Sequence, residues 1–168
     1  DTLGALKRYE EALTAYEQAM RLNPNNAQAY MGEGLALYRL NRYQDALAAY
    51  EQAIGLDSNF VSAYTGKGEA LSELKRYQDA LAAYEQAIHL DLNDTSLYSR
   101  KAQALHMLKR YQNAVAAFEQ AIGLDPNNAQ AYMGEGLALY RLKRYEEALI
   151  AYEQAIHLDL NDTSLYSR

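Results

Sequence analysis

Two helical patterns of apolar positions alternate along the chain. Over 27–40, Tyr30, Gly34, Leu37 and Leu40 follow one another at spacings of four and three, so they line one face of a helix. Over 43–56, Ala46, Leu47, Tyr50, Ala53 and Ile54 share a face, with Gln44, Asp45, Glu51 and Gln52 opposite. A short break around "NRY" or "KRY" joins the two patterns. A longer one, "NPNN", "DSNF", "DLND" or "DPNN", precedes the next pair. Asp, Asn and Ser cap helix starts, and Pro stops the helix before it. The pattern predicts an all-α chain of antiparallel helix pairs.

The pairs repeat with a period of 34 residues. Tyr9, Tyr43, Tyr77, Tyr111 and Tyr145 keep that spacing, as do Ala12, Ala46, Ala80, Ala114 and Ala148. So do Tyr16, Tyr50, Tyr84, Phe118 and Tyr152, and Ala19, Ala53, Ala87, Ala121 and Ala155. A second tyrosine series runs through Tyr30, Tyr64, Tyr98, Tyr132 and Tyr166. A residue type that recurs in this way reads as a repeated core contact rather than as a catalytic phenol. Only Tyr38 and Tyr140 stand outside the series. The stretch "PNNAQAYMGEGLALYRL" occurs at 24–40 and again at 126–142, which points to duplication or to construction from a longer array.

These residues resemble the tetratricopeptide repeat over the whole chain. Counted from Ala27, the family's aromatic at position 4 is Tyr30 and its small residue at position 8 is Gly34. Its Ala at position 20 is Ala46, its aromatic at 24 is Tyr50 and its Ala at 27 is Ala53. Position 32, usually Pro, holds Pro24 and Pro126 but Ser58, Leu92 and Leu160 elsewhere. The resemblance implies a right-handed α-solenoid of antiparallel helix pairs. Residues 1–26 read as a partial repeat, the second half of a first helix plus a second helix. Residues 27–60, 61–94, 95–128 and 129–162 read as full repeats, and 163–168 as the start of a further first helix. Position 7, usually Leu in the family, holds Glu33, Lys67, Lys101 and Glu135. Adjacent repeats would bring Glu33 to Lys67 and Lys101 to Glu135, so two ion pairs are expected, each contributing roughly 0–1 kcal/mol if exposed.

Little points to chemistry. The "GEG" and "GKG" stretches lie inside helical patterns with no preceding strand, so they do not read as phosphate loops. His89, His106 and His157 form no pair at metal-ligand spacing, Ser is scattered, and Cys is absent. No enzyme activity, cofactor or metal is expected; a regulatory part of an enzyme is a minor alternative. The net charge of −6 argues against nucleic acid as a partner. Lys7, Arg8, Arg42, Lys75, Arg76, Lys109, Arg110, Lys143 and Arg144 do cluster in the short turns. There they read as solvated charge favourable to helix C-termini or as an edge for an acidic partner or nucleic acid. No apolar run is long enough to cross a membrane. The opening "DTLGALKRYEEAL" is amphipathic and unlike a secretory leader. A cytoplasmic location is expected.

In the family the first helices line a concave groove that holds a peptide or protein segment. That resemblance places Met31, Leu35, Tyr38 and Arg39 in the groove, with Glu69 and Glu73 from the second full repeat. The third contributes Arg100, Gln103, His106 and Met107, and the fourth Gln130, Met133, Leu137, Tyr140 and Arg141. Gly66 and Gly134 fall on the same face. Aromatic, Met and Arg side chains are enriched at binding hot spots. The same residues read equally as packing between neighbouring first helices. Chaperone-binding members clamp a peptide's terminal carboxylate with Lys and Asn; here those positions hold Met31, Leu35, Gly66 and Ser96, and only Arg100 fits. The expected ligand is instead a peptide with apolar anchors and some positive charge. A competing expectation is structural. The first piece, "DTLGAL", and the last, "TSLYSR", read as two halves of one first helix, so copies would stack head to tail through exposed array ends.

Overall fold

The computed structural model describes residues 2–164, with side chains described from 6 to 159. Among the described residues there are nine α-helices and no strand: α1 (Thr2–Leu22), α2 (Ala27–Arg39), α3 (Tyr43–Leu56), α4 (Val61–Glu73), α5 (Tyr77–Leu90), α6 (Thr95–Met107), α7 (Tyr111–Leu124), α8 (Ala129–Arg141) and α9 (Tyr145–Ser164). None is long and apolar enough to cross a membrane. The chain forms two compact units, Asp1–Asp91 with α1–α5 and Leu92–Arg168 with α6–α9. In the first, α2 pairs with α3 and α4 with α5, while α1 packs on α2 and α3 on α4. In the second, α6 pairs with α7 and α8 with α9, while α7 packs on α8.

Two kinds of turn produce this order. Between a second helix and the next first helix, a side-chain carbonyl or carboxylate caps the start of α2, α6 and α8, whereas α4 begins at Phe60 with no side-chain cap. Asn26 accepts from the Ala29 N–H at 3.2 Å, Asn128 from that of Ala131 at 3.0 Å, and Asp94 from that of Ser96 at 2.9 Å. Inside a pair, the first helix ends in a left-handed residue: Asn41, Lys75, Lys109 or Lys143, each with φ between 59° and 61°. The Asn41 N–H donates to the Tyr38 carbonyl and the Arg42 N–H to that of Leu37, both at 2.9 Å, and the other three turns repeat the pattern. This is a Schellman ending with asparagine or lysine where glycine is usual.

The tight pairing rests on aromatic rings laid against glycine. Tyr50 is fully buried, its ring wedged between α2 and α4. A Cβ on Gly34 would lie 2.6 Å from Tyr50 Cε1, and one on Gly66 would lie 2.5 Å from Tyr50 Cζ. Gly66 is therefore packed under a ring rather than presented to a ligand. Tyr84 occupies the same place against Gly68, and Phe118 against Gly134. Around the rings the fully buried Ala46, Ala53, Ala80 and Ala87 repeat as Ala114, Ala121 and Ala155 in the second unit. Any larger side chain there would overpack the seam.

Two expectations change. Lys67 pairs with Glu51 at 2.9 Å, and Glu33 lies beside Glu17. Glu135 likewise lies beside Glu119, with Arg144 as the nearby positive charge in place of Lys101. Neither of the expected ion pairs forms, because position 7 faces the preceding second helix and not the neighbouring first helix. The chain is also straighter than expected near its ends. "LKRY" turns at 74–77, 108–111 and 142–145 but is helical at 6–9; "DLNDTS" turns at 91–96 but is helical at 159–164. The expected start of a further first helix thus falls partly inside α9, and residues 165–168 lie outside the described residues.

Candidate functional site

The outward positions of the first helices differ between the units. In the first unit α2 presents Met31, Leu35, Tyr38 and Arg39, and α4 presents Glu69 and Glu73. The Tyr38 hydroxyl donates to Glu73 Oε1 at 3.4 Å, and its ring stands edge-on to Tyr43 at 5.3 Å. Burial, then the charges of Glu69 and Glu73, push the Tyr38 phenol up to about 12. Tyr38 therefore ties α2 to α4 across this face. Below it, the Tyr50 hydroxyl is buried with no hydrogen-bond partner, and burial followed by Glu69 raises its pKa. The Tyr38–Glu73 bond partly closes this face and two carboxylates border it, with Leu35 43% exposed beside them.

In the second unit α6 and α8 leave a cleft of about 460 Å³. Its walls bring together the expected Gln103, His106, Met107, Gln130, Met133 and Leu137. Its floor is Phe118 and Tyr152, from the second helices, with Gly134 at the ring of Phe118. Sequence reasoning treats that aromatic series as core alone. The one signal is the single Phe in a tyrosine series. Met107 is 53% exposed, Met133 49% and Leu137 41%, a degree of exposure that large apolar side chains share only where nothing covers them. His106 stands edge-on to Tyr111 at 5.1 Å. Burial lowers the His106 pKa, and the positive charge of Arg141 lowers it further.

The remaining expected residues sit outside the cleft. Tyr140 is 55% exposed and rests edge-on to Tyr145 at 5.4 Å. Arg100 is half-buried on α6. Arg141 is exposed on the last turn of α8, within electrostatic reach of His106.

The basic residues of the short turns are in part locally engaged. Arg42 pairs with Asp45, Arg76 with Asp79 and Arg144 with Glu147, three residues along each second helix. Such exposed pairs contribute little to stability, but they neutralise part of the basic edge. Among the described residues no group of three or more His, Asp or Glu is placed to hold a metal ion.

A family model described as "Tetratricopeptide repeat" matches residues 1–60, 65–129 and 100–162. No curated protein sequence matches. Among solved structures, MamA is similar with a TM-score of 0.89 and 22% identity, over 93% of this chain and 91% of that one. MamA from residue 41 onward, from Desulfovibrio magneticus RS-1, is similar with a TM-score of 0.87 and 23% identity, over 95% and 92%. YrrB, described as a TPR protein with an unusual peptide-binding site, is similar with a TM-score of 0.80 and 25% identity, over 93% and 80%. The likeness to MamA shows the same all-α fold of paired helices.

Proposed function

Because the chain belongs to the tetratricopeptide repeat family, we propose that it is a binding scaffold and not a catalyst, holding a peptide or protein segment against the outward faces of its first helices. The observation that carries this reading is the α6–α8 cleft. Its volume, about 460 Å³, lies in the ordinary range for ligand sites, and exposed apolar side chains converge on it with two amides at the walls. The peptide-binding site ascribed to YrrB supports the same kind of function. The cleft is a better candidate than the α2–α4 face, where Tyr38 is already engaged by Glu73.

Selection from a random peptide library against the whole chain tests the reading. Enriched peptides should lose binding to Leu137→Ser combined with Met133→Ser, substitutions at exposed positions that leave the fold intact. Enrichment insensitive to that pair would place binding elsewhere, and no enrichment would remove the peptide reading.

A second reading, self-association, is favoured by α9. Leu149 is 58% exposed and Ile156 is 55% exposed, whereas of their counterparts in α3 Leu47 is buried and Ile54 half-buried. Light scattering over a range of concentrations decides this: a mass that stays monomeric throughout rejects it.

A further inference from the structure

The two units contain the same thirteen-residue first helix, "AQAYMGEGLALYR", as α2 and α8, yet they surround it differently. The difference is legible position by position, because residues two repeats apart occupy equivalent places. Where the first unit has Tyr50 beneath the face, the second has Phe118. Where α4 carries Thr65 and Glu69, α8 carries Met133 and Leu137. Most telling is the pair at the rim. Tyr38 and Glu73 join α2 to α4 by a hydrogen bond. Their counterparts are His106 and Arg141, an imidazole and a guanidinium: Arg141 brings a positive charge where Glu73 brings a negative one, and the imidazole N–H of His106 remains a donor. The α6–α8 cleft therefore has an aromatic floor, no carboxylate lines it, and the positive charge of Arg141 lies just outside it, within electrostatic reach of His106.

On the scaffold reading above, we propose that this cleft binds a peptide segment carrying one bulky apolar side chain, seated on Phe118 among Met107, Met133 and Leu137, next to an internal acidic side chain that lies between His106 and Arg141. The carboxylate supplies the negative charge that Glu73 supplies in the first unit. Gln103 and Gln130, on opposite walls, offer amide donors and acceptors to the peptide main chain. The sequence-based expectation of a positively charged ligand derives from Glu69 and Glu73. Those two belong to the α2–α4 face, so the ligand of the α6–α8 cleft has the opposite charge.

The chain itself provides substitutions that its fold accepts. Tyr fills the Phe118 position in every other repeat, and Glu fills the Arg141 position in the second full repeat. Labelled ten-residue peptides, blocked at both termini so that only side chains carry charge, provide the probes. One contains Phe flanked by Glu, a second Phe flanked by Lys, and a third Ser flanked by Glu. Binding is read by fluorescence anisotropy against the whole chain at fixed ionic strength.

The Phe–Glu peptide should bind about tenfold or more tightly than the Phe–Lys peptide, because like charges at an interface are strongly disfavoured. The Ser–Glu peptide should bind weakly or not at all. Arg141→Glu should reverse the charge preference. Phe118→Tyr should weaken the Phe–Glu peptide about threefold or more by placing a hydroxyl in the aromatic floor, with an unchanged circular dichroism spectrum. Equal or tighter binding of the Phe–Lys peptide, or a preference unmoved by Arg141→Glu, overturns the proposal while leaving a peptide-binding scaffold intact. Failure of all three peptides, together with failure of the library selection, removes the scaffold reading itself. A wild-type dimer that dissociates on Leu137→Glu would show the cleft filled by a second copy, and would also overturn the proposal.

Discussion

Single residues carry more of the energetics here than their repetition suggests. Tyr50 fills the space between Gly34 and Gly66 but leaves its hydroxyl buried and without a hydrogen-bond partner. A buried unsatisfied donor costs about 1–3 kcal/mol, and the Phe118 position shows that a plain ring fits. Tyr50→Phe is expected to raise stability by about 1 kcal/mol, seen as a higher urea midpoint at an unchanged slope. Glu33 offers a second case. Burial, then the neighbouring charge of Glu17, raises its carboxyl above the ordinary 4.5. A raised acid binds its proton more readily in the folded chain, so its favourable contribution is complete at low pH and is lost as pH rises through the folded value. Lys67 shows what suits the position, since it pairs with Glu51. Glu33→Lys should therefore stabilise by roughly 0.2–1 kcal/mol at neutral pH. Thermal melts at pH 7 and pH 4 should show the gain shrinking in acid.

At the scale of the helix, the same residue type has opposite meanings on two faces. Gly66 lies under the Tyr50 ring, whereas a Cβ on Gly55 would meet nothing within 4 Å. Gly66→Ala should overpack the α3–α4 seam and cost about 1–3 kcal/mol. Gly55→Ala should instead add about 0.5–1 kcal/mol by helix propensity alone, so chemical denaturation of the two variants should move in opposite directions. Periodic residues make this level legible. The spacing of Tyr30, Gly34, Ala46, Tyr50 and Ala53 announces the helix pairs and their small-residue seams from the order of the amino acids alone. The ion pairs are not legible in that order, because spacing along one helix does not say which neighbour a charge faces. The cleft is half legible. Met133, Leu137, Gln103 and His106 follow from groove positions, but Phe118 is hidden inside a series that otherwise reads as core.

For the molecule as a whole, every described packing partner lies within about two helices along the chain. Local contacts of this kind favour fast folding that begins in any pair and spreads to its neighbours. The ends show what that locality cannot decide alone. "LKRY" is helical at 6–9 and bent at 74–77, so these four letters alone do not encode a bend. Helix formation, which takes about a microsecond or less, should therefore precede the bend. Lys75 bears the strain of a left-handed conformation that glycine adopts without penalty. Lys75→Gly should stabilise by about 1 kcal/mol, and stopped-flow kinetics should locate that gain almost wholly in a slower unfolding rate. A faster refolding limb would mean that the turn closes first. On the expected outcome the left-handed lysine is a kinetic clasp: it governs how long a finished pair stays shut, and has little influence on how quickly the pair is found.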